Sequence, residues 1–287
     1  MFEPLSVAAI YAATLATIGA STAIWLLHLT SLTTPAVRPG AAAAVASLRR
    51  VALASALSLW ALLLVRLITH SIAVFDLPEA LTRESLWTIA IESRWGGGWR
   101  VQLIVATASV VAALWQLRSP ELAARLLVSL AAVAFAFTLP LSGHSAGNSL
   151  HLGIAAAHVL AAGAWLGTLA ILVVSRATNA DRPGAQPTGA AVFDRFSAVA
   201  MCGAATVVTT GVVMVWLYLG PIRAILQSGY GRLLTAKLVL FAAVCACGYL
   251  NWRRARRGEP LPAARWEVVL TVAIVLVTGF LTESAPP

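Results

Sequence analysis

Eight long apolar runs separated by short polar connections set the pattern of this chain. They cover roughly residues 5–29, 50–72, 99–117, 121–141, 149–174, 196–219, 232–252 and 265–283. Each is close to the roughly 20 apolar residues that a helix needs to cross the hydrocarbon core of a bilayer. Inside lipid a backbone amide finds no water, so such runs satisfy their own hydrogen bonds as helices. The pattern predicts an all-α polytopic membrane protein with eight transmembrane helices. The first run has no basic segment before it and no clear small-x-small cleavage site, which predicts a retained first helix and not a cleaved signal.

Two connections depart from the short polar form. Residues 76–98 interleave Leu77, Leu81, Leu86, Trp87 and Ile91 with charged residues, predicting an amphipathic segment near residues 78–92 lying along the outer surface. Residues 177–191 carry Asp181, Arg182, Pro183, Gly184 and Pro187 and predict a flexible linker at mid-chain. A short internal correspondence is also visible. Ser93-Arg94-Trp95-Gly96 precedes the third run, and Ser228-Gly229-Tyr230-Gly231 precedes the seventh. Four spans return the chain to the same side, so residues 1–141 and 142–287 would form two four-helix halves of parallel orientation.

Composition supports this reading. Hydrophobic residues make up 60% of the 287 positions and charged residues 11%, where a soluble domain carries about a quarter charged. The formal charge of +9 does not point to nucleic acid, because the arginines lie in the connections and not on one face. Thirteen basic residues fall in or beside the odd-numbered connections and five in or beside the even-numbered ones. Positive residues stay in the cytoplasm, so the odd connections are expected inside and both termini outside. Cys202, Cys245 and Cys247 all lie within apolar runs and imply no disulfide framework. There is no nucleotide-binding loop, so any transport would draw on gradients. No catalytic constellation stands out, and the chain is not expected to be an enzyme.

The candidate chemistry lies with histidine. Of five histidines, His144, His151 and His158 stand seven residues apart, and His70 ends the second run. Seven residues make nearly two turns, so His151 and His158 share one helix face about 10 Å apart. On the predicted topology these four histidines all lie toward the outer side. Imidazole within a bilayer is costly and commonly faces a cavity, a partner or a ligand. Neutral imidazole ligates copper, zinc, iron and nickel. Two arrangements fit: one ion held by His144, His151 and a residue such as His70, or two ions in series with His158 as the inner station. The structural alternative is a set of buried rings bonded to carbonyls across helix interfaces.

Softer donors occur on the inner half: Met201, Cys202, Cys245 and Cys247, with His28 near the inner end of the first run. Thiols and thioethers favour copper(I), although both also pack readily in helix interiors. Arg66 and Lys237 are expected to snorkel toward the interface. Glu267 is expected to pair with the arginines of the seventh connection.

The second half also resembles a known family. The residues that carry the resemblance run from Ser142-Gly143-His144 through His158 and Trp165-Leu166-Gly167. They continue with Phe196-Ser197, Thr210-Gly211, Tyr230-Gly231-Arg232-Leu233-Leu234, Lys237, Asn251, Glu267 and Ala285-Pro286. This pattern resembles copper resistance protein D (CopD), a family of bacterial inner-membrane proteins. The resemblance implies copper uptake from the periplasm toward the cytoplasm. It places His144, His158, Trp165, Tyr230, Gly231, Lys237 and Glu267 on the family pattern. Copper would be the ion handled, the lipid bilayer the surroundings, and a periplasmic copper-binding protein a candidate partner. The chain lacks a methionine-rich outer segment and a fused periplasmic copper-binding domain. Two other functions share these features: a membrane b-type cytochrome with histidine-ligated haem, and an assembly factor that hands copper to a periplasmic cuproenzyme.

Overall fold

A computed structural model describes residues 2–119, 121–142, 148–179, 185–218, 228–255, 257 and 264–284. Helix α1 spans Phe2–Thr33, α2 Arg38–Val74, α3 Arg83–Trp87, α4 Arg94–Arg118 and α5 Leu122–Thr138. Helix α6, Ser149–Ala162, passes through a π-helical turn at Gly163–Gly167 into α7, Thr168–Asn179. Helix α8 covers Ala185–Tyr218, α9 Gly229–Ala255 and α10 Ala264–Glu283. Among the described residues, eight helical segments are long and apolar enough to cross a membrane. They match the eight runs of the sequence, with α6, the π turn and α7 together forming the fifth. The protein is an all-α, multi-pass membrane protein.

The packing centres on α1. Of its apolar stretch 72% is buried inside the protein, against 6% for that of α9. Around α1 are packed α2, α5, α7, α8, α10 and the π turn. Glycines allow the closest approaches. A Cβ on Gly167 would lie 2.0 Å from the Leu15 carbonyl oxygen, and one on Gly19 would lie 2.3 Å from the Gly167 carbonyl carbon. On the opposite flank a Cβ on Gly279 of α10 would meet the Pro4 carbonyl oxygen at 2.4 Å. One apolar cluster joins Ala20, Ile24 and Leu27 of α1 to Trp165, Phe196, Val244 and Ile274. The first helix thereby packs against elements of both halves of the chain.

Polar residues at helix starts fix where the spans begin. Ser93 accepts a hydrogen bond from the Gly96 amide at 2.9 Å, and Ser228 accepts one from the Gly231 amide at 3.0 Å. Each serine so satisfies one of the free amides of a first turn. The two Ser-x-aromatic-Gly motifs thus do the same local work ahead of α4 and α9. Asn148 caps α6 by accepting from the amides of Leu150 and His151.

The outer segment lies where its apolar pattern predicts, but as three short pieces. A 3-10 turn at Glu79–Leu81 leads to α3, which continues as a π turn over Thr88–Glu92. Leu77, Leu81 and Trp87 are exposed, whereas Ala80, Ser85, Ile89 and Ala90 are buried against the bundle. The linker expectation needs correction over residues 177–179, which still belong to α7, and 185–191, which already belong to α8. Pro187 is compatible with this because it falls in the first turn, where its missing amide would have no helical partner. Residues 180–184 of that stretch lie outside the described residues.

Candidate functional site

His158 faces from α6 onto α8. Its Nδ1 lies 2.9 Å from the Thr210 hydroxyl, with the Val207 carbonyl near the ring. Thr210 donates its own proton to the Thr206 carbonyl at 2.6 Å. The hydroxyl therefore accepts from the ring, and Nδ1 carries the hydrogen. A neutral imidazole protonated at Nδ1 holds its lone pair on Nε2, the form that binds a metal. Gly211 leaves room beside the ring, since a Cβ there would be 3.7 Å from the His158 Cε1. Lys237 of α9 is half-buried and lies within electrostatic reach of the ring. It thus belongs to the His158 region, where the sequence suggested only a snorkelling side chain.

Two turns further on, the π turn delivers Trp165 into the interior. A π turn inserts one extra residue and shifts the faces that follow. Trp165 is buried against Gly203 of α8, where a Cβ would lie 2.9 Å from the tryptophan Cβ. Its ring meets Phe241 of α9 edge-on, with centroids 6.0 Å apart. This aromatic pair stands next to His158 along the same three helices.

His70 belongs to a different interface. Its Nδ1 is 2.5 Å from the Glu3 carboxylate, and its ring stacks on Trp95 at 3.9 Å between centroids. A carboxylate on one ring nitrogen orients the other, as in many metal-binding histidines. Arg66, one turn earlier, is only 6% exposed; its guanidinium lies over Trp95 and its Nη2 is 3.4 Å from Glu283 of α10. The snorkelling expected of Arg66 is corrected here. A carboxylate near at hand and an aromatic face offer the guanidinium compensation inside the protein.

His151 is half-buried in the first turn of α6, and His144 lies outside the described residues. Among the described residues no three His, Cys, Asp or Glu side chains gather as a group able to hold a metal ion. His70, His151 and His158 are therefore not one cluster: His70 is engaged with α1 and α4, and His158 with α8.

The inner donors are dispersed as well. Met201 is 60% exposed, and Cys202 is exposed in an open groove that it lines with Ala157, Ala161 and Thr206 between α6 and α8. His28 packs edge-on against Trp25, and Cys245 packs against the core cluster around α1. Glu267 has Asn251 as its hydrogen-bond partner. It is 3% exposed and accepts a hydrogen bond from the Asn251 side-chain amide, while Arg253 and Arg254 on the same helix as Asn251 are exposed. Charged guanidiniums gain more from water than from entering the bundle.

Sequence reasoning missed the orienting role of two residues, Glu3 and Thr210, the second of which it named only as part of the family resemblance. Glu3 could have been suspected as an acidic residue at the start of an apolar run. Thr210 carried no signal in its own spacing, because a threonine in an apolar helix commonly bonds back to its own backbone. No curated protein and no solved structure matches the chain. From residue 190 to residue 282 the chain matches the family model CopD, copper resistance protein D, and this stretch supplies Thr210, Gly211, Lys237, Asn251 and Glu267.

Proposed function

We propose that this protein carries copper across the bacterial inner membrane, from the periplasm toward the cytoplasm. The observation that carries the reading is the seat of His158. The segment similar to copper resistance protein D encloses this ring and, through Thr210, presets the tautomer whose Nε2 can bind a metal. His144, His151 and His70 serve as entry ligands on the outer side, with the Glu3 carboxylate orienting His70. His158 is the inner station in a series, which agrees with the separate interfaces occupied by His70 and His158. Nitrogen donors of this kind suit copper. The orientation rests on the arginine-rich odd connections. No catalytic step is assigned, and copper is the cargo.

Reconstitution tests the reading directly. Proteoliposomes containing the purified protein should accumulate copper faster than empty liposomes, and His158→Ala should abolish the difference. Tight copper binding without accumulation would contradict transport and favour hand-over to a partner on the same side.

A further inference from the structure

One face of α9 links the His158 region to a second buried polar group. Lys237, Phe241, Cys245, Gly248 and Asn251 follow one another at helical spacing and so share that face. Fourteen residues separate its ends, which at about 1.5 Å per residue is about 21 Å. Lys237 stands by His158, Phe241 meets Trp165, and Asn251 meets Glu267 of α10. The Asn251–Glu267 pair therefore lies beyond the Trp165–Phe241 contact, as seen from His158.

One acceptor of this pair, on Asn251, is left without a hydrogen-bond partner among the described residues. Glu267 is buried within a span, and its partner is the neutral side-chain amide of Asn251. The other carboxylate oxygen, Oε2, is turned toward Gly248, where an added Cβ would lie 3.6 Å from it. Asn251 is 8% exposed, and its Oδ1 is buried without a hydrogen-bond partner. Among the described side chains on helices packed against α10, Cys245 of α9 is the titratable group that feels the Glu267 charge. Among the described side chains no charged group of α1 acts on it, and Arg265 on its own helix is exposed. Placement in the first turn of α10 is electrostatically favourable for an acid, but the side chain reaches across to α9. A carboxylate buried within a span, held by a neutral amide whose own oxygen has no hydrogen-bond partner, is a place where a cation would be stabilised.

We propose that Asn251 and Glu267 form a coupling-cation site for a small hard monovalent cation, a proton or sodium, whose movement drives copper transport. The inference rests on the transport reading above. The donors are oxygens, which suit hard cations, whereas copper favours the imidazole nitrogen at His158. The site is thus separate from the copper stations and explains how a chain without a nucleotide-binding loop could be driven. The structure couples the two sites through α9, which carries Lys237 at one and Asn251 at the other.

The test uses the full-length protein in proteoliposomes under three conditions: a pH gradient in sodium-free buffer, a sodium gradient at symmetric pH, and neither. One gradient should change the wild-type rate of copper uptake by about tenfold, a usual size for coupling between sites. Glu267→Gln and Asn251→Leu should lose that response, while Glu92→Gln, an exposed carboxylate on the outer segment, should retain it. The responding gradient identifies the cation. Equal responses in wild type and Glu267→Gln overturn the proposal, as does wild-type uptake indifferent to both gradients. Melting temperature with and without sodium, and across pH, gives a readout independent of copper. A cation-dependent shift present in wild type and absent in Glu267→Gln supports the site even if copper does not cross, because ligand binding stabilises the folded state. Absence of that shift in both proteins overturns the site itself.

Discussion

Gly167 shows how tightly single residues are constrained at the centre of this bundle. A methyl group there would enter the Leu15 carbonyl, so the helices would have to separate. Gly167→Ala should cost about 1–3 kcal/mol, the range for overpacking a filled interior. Gly97 and Gly153 have no atom within 4 Å of an added Cβ, and alanine at either should leave melting temperature unchanged or raise it. Equal melting temperatures for all three variants in detergent would contradict the packing. Thr210 makes a functional prediction at the same scale. Thr210→Val keeps the shape of the side chain and removes the acceptor that orients His158. Loss of such an orienting partner commonly weakens metal binding about 10–100-fold, whereas the lost hydrogen bond costs about 1 kcal/mol. Copper titration and thermal melting separate these effects, and unchanged affinity would show that Thr210 does not set the tautomer.

At the scale of elements, the spans were legible and their faces were not. A run of about 20 apolar residues announces a membrane helix whatever surrounds it. Which side of that helix faces protein leaves little trace, because lipid is as apolar as a protein core. Met201 illustrates the difficulty: its chemistry suits an inner ligand, yet it is 60% exposed on α8. The serine caps before α4 and α9 were legible as a motif because capping depends on local spacing alone. The π turn that delivers Trp165 was not, since one inserted residue leaves no compositional mark. Topology is testable at this scale too. With the three native cysteines replaced, Ser145→Cys should react with an impermeant thiol reagent added outside and Arg256→Cys should not. The reverse labelling would invert the orientation inferred from the arginines.

Across the whole molecule, α1 acts as the post on which both ends of the chain are assembled. The Arg66–Glu283 pair closes this arrangement, joining residues 217 positions apart. No local pattern could reveal that partnership, which is why Arg66 looked like a snorkelling residue in the sequence. Glu283→Gln leaves the buried guanidinium with a neutral partner and should lower stability by about 1–3 kcal/mol. An unchanged melting temperature would show that Trp95 alone suffices to hold Arg66. The same global arrangement separates His70 from His158, which is compatible with both arrangements read from the sequence: one ion held by His144, His151 and a residue such as His70, or two ions in series with His158 as the inner station.

Copper titration of the four single alanine variants at His70, His144, His151 and His158, each paired with a melting curve, tests the central claim most directly. The serial arrangement predicts that His158→Ala loses one class of copper site while retaining the outer one, with stability lowered by no more than about 1–3 kcal/mol. Intact copper binding in all four variants, with only stability reduced, would show that the histidines are structural and that copper does not bind where we place it.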